Sequence, residues 1–137
     1  MFSQAEYIEL RSLLIEWFRL KGRHNIPWKL TFNNTQLDKG EMIVPYGIWI
    51  AEIMLQQTQI NVVIPYWLKW MSFFENLNLR EKATKEDVLF LWQGLGYYSR
   101  AKRIHQSSKL LIEYFANTSF LDPISWPLEI DQWMSLP

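Results

Sequence analysis

The chain contains no cysteine. It therefore cannot form a disulfide, hold zinc through thiolates or ligate an iron–sulfur cluster. Its 2 histidines, His24 and His105, are far apart in sequence, so no histidine metal cluster is expected either. The N-terminus lacks the basic region and unbroken apolar segment of a secretory leader. No stretch is long and apolar enough to span a bilayer. These absences lead to the expectation of a soluble, cytoplasmic chain with no membrane contact and no metal.

An excess of one charge is missing as well. The 14 Lys and Arg balance 14 Asp and Glu, and the pI is about 6.7. A dedicated nucleic-acid binder is often strongly basic, so this balance argues mildly against one. The distribution is less even than the sum. Between Asp87 and Glu113 there is no acidic residue, while Arg100, Lys102, Arg103 and Lys109 lie there. Such a run is commonly a solvated helix face, and a phosphate contact is the alternative.

What is present fits one globular domain. The 137 residues are 49% apolar, enough for a real core. The 8 Trp serve either as core anchors or as stacking surfaces, and composition does not choose between them.

The pattern along the chain is helical throughout. Ser3 to Glu6 has the form of a capping box. Apolar residues then recur at Ile8, Leu10, Leu13, Leu14, Trp17 and Phe18, and Gly22 can close that helix. His24 to Pro27 reads as a turn. Residues 29–45 form the one polar, weakly periodic stretch, a surface loop long enough to hint at function or an insertion. A second helix is expected from Tyr46 to about Gln59, and a third from near Pro65 to about Glu75. Thr84 caps a short helix through Trp92. After Gly94-Leu95-Gly96 a long helix is expected from Tyr97 to about Asn117, its inner side formed by Tyr98, Ala101, Ile104, Leu111, Ile112 and Phe115. A linker at Asp122 to Trp126 and a last short helix from Leu128 to Met134 follow. No strand pattern or repeat is visible, so the fold class is all-α, a compact helical bundle.

Within this pattern Glu52 stands out, the one charge between Trp49 and Gln59. On a helical wheel Ile48, Trp49, Leu55, Gln56 and Gln59 share its face, and Ile50 and Met54 lie opposite. The helix is then apolar nearly all round and should be buried. A lone carboxylate on a buried helix is costly unless paired or protonated, which marks it as a candidate acid or base. A carboxylic acid kept neutral by its surroundings can protonate a leaving group. The other reading is a Glu satisfied by Gln56 or by a basic partner. Gln56 to Gln59 is either a polar helix terminus or a set of groups able to read base edges. Gly94 to Tyr98 is either a tight turn with core tyrosines or a corner where a phosphate approaches and a Tyr stacks on bases. It is no dinucleotide fingerprint, since the third glycine and the preceding strand are missing.

Taken in order, several blocks closely resemble the A/G-mismatch adenine DNA glycosylases of the helix-hairpin-helix base-excision superfamily. They are Gly22-Arg23 through Ile26-Pro27-Trp28, then Trp49 with Glu52 through Gln59, Val63 through Tyr66, and Leu91-Trp92 with Gly94 through Ala101. The resemblance runs from about Leu14 to Pro137. It implies most of a six-helix barrel over residues 23–137, truncated before the hairpin, with residues 29–45 as a loop insertion. In the family the N-terminal helix, here residues 1–22, packs on the C-terminal half.

The resemblance also implies a reaction: adenine is flipped out of a pair with 8-oxoguanine or guanine in double-stranded DNA, and its N-glycosidic bond is hydrolysed. Glu52 matches the residue that protonates adenine on N7 and positions water. Trp28 and Leu55 match residues lining the adenine pocket. Gln57 and Thr58 match residues that fill the base stack, and Tyr97 matches the aromatic wedge beside the lesion. Arg100 and Arg103 are expected on the DNA backbone, and the protein is expected to be a monomer. The family's hairpin, catalytic Asp and [4Fe-4S] cysteines lie beyond the matched blocks and are absent here, so the isolated chain is expected to be a truncated, inactive fragment. Lys29 replaces the Arg or Gln more common beside the pocket Trp. The alternatives are a sister glycosylase of the endonuclease III type and a non-catalytic DNA-interaction remnant.

Overall fold

The computed structural model describes residues 1–30, 45–77, 82–114 and 134. Among them the elements are helical: α1 (Gln4–Lys21), a 3-10 turn (Pro27–Lys29), α2 (Pro45–Leu55), α3 (Ile60–Phe73), α4 (Lys85–Trp92) and α5 (Ser99–Tyr114). The all-α expectation holds. None of the helices among the described residues is long and apolar enough to cross a membrane. The expected last helix, the linker before it and most of the 29–45 loop lie outside the described residues, as does Phe115.

The predicted helix starts rest on real caps. The Ser3 hydroxyl accepts from the Glu6 N–H at 3.3 Å, and the Glu6 carboxylate accepts from the Ser3 N–H at 2.7 Å. Thr84 and Asp87 repeat the arrangement at α4, with distances of 3.2 and 2.9 Å. Hydrogen bonds from Ser3 and from Thr84 hold the Glu6 and Asp87 carboxyls below their ordinary pKa, so the charged form is the one that caps. At the other end of α1 the Gly22 N–H closes on the Phe18 carbonyl at 2.7 Å. A Cβ at Gly22 would collide with that same carbonyl, so close approach rather than a left-handed backbone demands glycine. His24 Nε2 lies 3.0 Å from the Phe18 carbonyl and 3.2 Å from that of Arg19, which places an N–H on the last turn of α1.

Three boundaries differ from expectation. Helix α2 stops at Leu55, not Gln59, because Gln57 takes a left-handed conformation with φ 56°, which the helix cannot propagate through. Helix α3 opens at Ile60, so Pro65 lies inside it. Pro65 has no N–H for the Asn61 carbonyl, and both residues are exposed, so water can take that place. Helix α5 begins at Ser99 because Tyr97 is also left-handed, with φ 47°.

The core lies between α2, α3, α4 and α5. Ile50, Met54, Val63, Trp70, Trp92 and Ile104 are fully buried in it. Of the expected inner side of α5, Ala101, Ile104 and Leu111 are buried and Ile112 is half-buried. Tyr98 is corrected: it is exposed, and its hydroxyl accepts from the Gly94 N–H at 3.4 Å. Helix α1 stands apart from this core and buries none of its residues among those described.

Candidate functional site

Helix α2 is apolar on more than one side, but it is buried on one. Tyr46, Gly47, Ile50, Ala51 and Met54 face the core. At 100° per residue Glu52 falls on the opposite stripe, flanked by Ile48, Trp49 and Leu55, all half-buried. The expected burial of Glu52 is thus corrected: the carboxylate is exposed. It stands as an accessible acid in the middle of an apolar strip, open to a ligand laid against the helix.

Three residues beyond Glu52 the helix ends, and the chain turns sharply. The Gln56 N–H bonds to the Ile53 carbonyl at 3.3 Å and the Thr58 N–H to the Leu55 carbonyl at 3.2 Å. These short turns present Gln57 to solvent, while Thr58 is half-buried. A non-glycine residue at positive φ is uncommon and marks a local constraint. The other one among the described residues is Tyr97, which is 59% exposed.

The corner that carries Tyr97 is built by aromatic side chains. Trp92 donates its indole N–H to the Gly96 carbonyl at 2.8 Å, and Tyr66 donates its hydroxyl to the Gln93 carbonyl at 3.1 Å. Gly94 has φ +94°, and a Cβ there would collide with the Tyr66 hydroxyl. Gly94→Ala is accordingly expected to destabilise the chain by about 1–3 kcal/mol, from backbone strain and crowding. Thermal melts of this variant check it. Measured against Tyr66→Phe alone, which also loses the bond to the Gln93 carbonyl, Gly94→Ala should cost less, the steric part being gone and the strain remaining.

Arg100 joins the two left-handed segments. Its Nη1 donates to the carbonyls of Ile53, Met54 and Gln56 at 3.1, 2.7 and 2.6 Å. Its Nη2 reaches the Thr58 hydroxyl and the Gly96 carbonyl, both at 3.2 Å, and Nε reaches the Tyr97 carbonyl at 3.4 Å. The guanidinium carbon lies 5.2 Å from the Trp92 ring centroid and 5.4 Å from that of Tyr97, within cation–π range. Desolvation pushes its pKa down, and Tyr97 pulls it back up; an arginine stays charged regardless. The expectation that Arg100 contacts a phosphate is corrected, because it is 4% exposed and its donors are engaged inside the protein. Arg103, one position round the helix, is exposed.

The fold therefore brings Glu52, Leu55, Gln57, Thr58 and Tyr97 to one region and holds them through Arg100. Trp28 is buried, 5% exposed, its ring tilted on Trp67 with centroids 5.6 Å apart, and the turn that carries it packs on α2. Trp92 and Tyr66, whose side chains shape the Tyr97 corner, belong to blocks that carry the resemblance, but the sequence assigns neither a role in the site. No group of three or more His, Cys, Asp or Glu lies together among the described residues. The [4Fe-4S] cluster implied by the resemblance takes thiolate ligands, and a chain without cysteine does not fit it.

Comparison with known proteins identifies the family of the chain. Residues 50–129 match the model of the HhH-GPD superfamily base excision DNA repair proteins. An adenine DNA glycosylase of Buchnera aphidicola (subspecies Schizaphis graminum) is 38% identical over 118 residues, covering 84% of this chain and 31% of the relative. Those of Rattus norvegicus and Homo sapiens are each 36% identical over 110 residues, covering 80% of this chain and 20% and 19% of the relatives. The chain thus spans about a fifth to a third of the length of these relatives. The matched residues include α2 from Ile50 onward with Glu52, the Gln57 turn, the Tyr97 corner and Arg100, and the chain belongs to the HhH-GPD superfamily of base excision DNA repair proteins.

Proposed function

We propose that this chain carries the base-extruding and proton-donating part of an adenine DNA glycosylase, acting on adenine mispaired with 8-oxoguanine or guanine in duplex DNA. The observation that carries this reading is the juxtaposition of an accessible acid, Glu52, with two constrained, DNA-sized projections, the Gln57–Thr58 turn and Tyr97. Extruding a base costs stacking energy, which an inserted side chain offsets by filling the gap. Tyr97, exposed on a fixed corner, is suited to wedge into the stack. The amide of Gln57 offers both donor and acceptor to the orphaned partner base.

An adenine leaving a sugar departs as a poor anion unless it is protonated first. Glu52 supplies that proton to N7, so that the N-glycosidic bond breaks with the electron pair going to a neutral base and positive charge developing on the sugar. The carboxylate so formed can then accept a proton from the incoming water. Leu55, Ile48 and Trp49 shape an apolar wall on which the flipped base would lie. Arg103 and Lys102, both exposed on α5, serve the flanking phosphates. Residues 23–137 carry these roles, and the corresponding expectation is a monomeric, cytoplasmic protein.

The test is a set of duplexes carrying 2-aminopurine, which brightens on unstacking, opposite 8-oxoguanine, guanine or thymine. The chain is expected to raise the fluorescence of the first two above the third, with binding that weakens steeply as salt rises. Equal response to all three, or release of an oxidised pyrimidine such as thymine glycol, would sink this reading in favour of a sister glycosylase.

A further inference from the structure

A buried cation without a carboxylate among its hydrogen-bond partners is costly unless its donors are satisfied in another way. Around Arg100 the satisfaction comes from oxygen dipoles: five main-chain carbonyls and the Thr58 hydroxyl. Two of the carbonyls, those of Ile53 and Met54, belong to the last turn of α2. There helical geometry leaves carbonyls without a partner in the next helical turn and concentrates partial negative charge; the Ile53 carbonyl also accepts from the Gln56 N–H. The Gln56 carbonyl and Thr58 belong to the turn that follows, and the Gly96 and Tyr97 carbonyls belong to the corner before α5. The two sets are about forty residues apart in sequence, and one planar group binds both.

The two residues at positive φ, Gln57 and Tyr97, each lie within a residue of an acceptor of this group or are one. Strained backbone persists only where its surroundings over-determine it. Here the determinant is shared, because displacing the guanidinium frees both segments together.

We propose that Arg100 is the positioning residue that locks the Gln57–Thr58 turn to the Gly96–Tyr97 corner, so that the two DNA-facing segments keep one separation and move as a unit. The DNA-facing part of this statement rests on the function proposed above; the lock itself does not. Lysine cannot substitute. It offers three donors from a single point, has no plane to lay against Trp92 and Tyr97, and cannot reach six acceptors on two segments.

Amide hydrogen exchange on the 137-residue chain separates a lock from a merely stabilising residue. In Arg100→Lys the amides of residues 56–58 and 96–98 are expected to exchange at least about tenfold faster, while those of Trp70 and Ile104 in the core keep their rates, the pattern of local and not global opening. Thr58→Val guards against a variant that fails to fold. It removes one acceptor from the first segment only, and exchange at residues 96–98 is expected to rise with it. Acceleration confined to residues 56–58 in Thr58→Val, or spread evenly over the core in Arg100→Lys, overturns the lock.

The second readout is 2-aminopurine opposite 8-oxoguanine. Extrusion by Arg100→Lys should fall by at least about tenfold, since misplacement by about an ångström is that costly. Undiminished extrusion would overturn the positioning role. Coupled exchange in a wild-type chain that extrudes nothing would leave the lock standing and sink the excision reading instead.

Discussion

Glu52→Gln is expected to lower adenine release by about 10²–10⁴-fold, the range supplied by a positioned general acid. The measurement uses this chain in place of the matching segment of the Buchnera aphidicola adenine DNA glycosylase, which is about three times as long. The substitution preserves shape and removes the acidic proton. It is also a clean one structurally, because Glu52 is exposed and surface changes of this kind commonly shift stability by less than about 0.5 kcal/mol. Duplex binding and 2-aminopurine extrusion should therefore survive while release is lost. If release survives instead, Glu52 is a surface residue and another group delivers the proton. If binding falls in parallel, its role is in docking and not in chemistry.

The exposure that makes this test clean is what the sequence concealed. Helix α2 is apolar nearly all round, and that pattern leads to burial all round. Among the described residues the fold fully buries the face of Tyr46, Gly47, Ile50, Ala51 and Met54 and leaves Ile48, Trp49 and Leu55 half-buried beside an exposed Glu52. Hydropathy records which residues tolerate burial and not which stripe finds a partner, so the stripe of Glu52 was legible as apolar but not as open. The caps at Ser3 and Thr84 were legible because both partners of each bond lie within four residues of one another. The stop after Leu55 was not, since Gln57 is neither glycine nor asparagine and nothing local announces a left-handed residue.

The burial of Arg100 is hidden in the sequence for a related reason. It sits in an acid-free run with Lys102, Arg103 and Lys109, and in sequence the four look alike. Its partners are mainly main-chain carbonyls, with sequence separations of 42 to 47 residues to the α2 side. A carbonyl leaves no mark in the sequence, so a cation compensated by backbone dipoles reads as one meant for solvent or phosphate. Arg103, one helical turn away, is exposed and stays free for the phosphate contact proposed for it.

Trp70→Ala is expected to cost about 3–5 kcal/mol, the range for removing a buried indole. Trp70 is fully buried, with its ring edge-on to Phe74 at 5.1 Å and to Trp92 at 6.0 Å between centroids. Its N–H donates to the Tyr46 hydroxyl at 3.0 Å. One side chain on α3 thereby ties the start of α2 to the end of α4. The effect should reach the site through Trp92, whose indole holds the Gly96 carbonyl and lies under the Arg100 guanidinium. Denaturant melts should show a lower midpoint at unchanged slope. Tyr46→Phe, which deletes the hydroxyl that accepts from the indole N–H, should cost about 1–3 kcal/mol. In a double-mutant cycle Trp70 and Trp92 should couple by about 0.5–1.5 kcal/mol, as packed aromatic pairs do. A Trp70→Ala cost below about 1 kcal/mol would mean that α3 and α4 are not packed through these rings, and the support for the Tyr97 corner would have to come from its hydrogen bonds to Tyr66, Trp92 and Arg100.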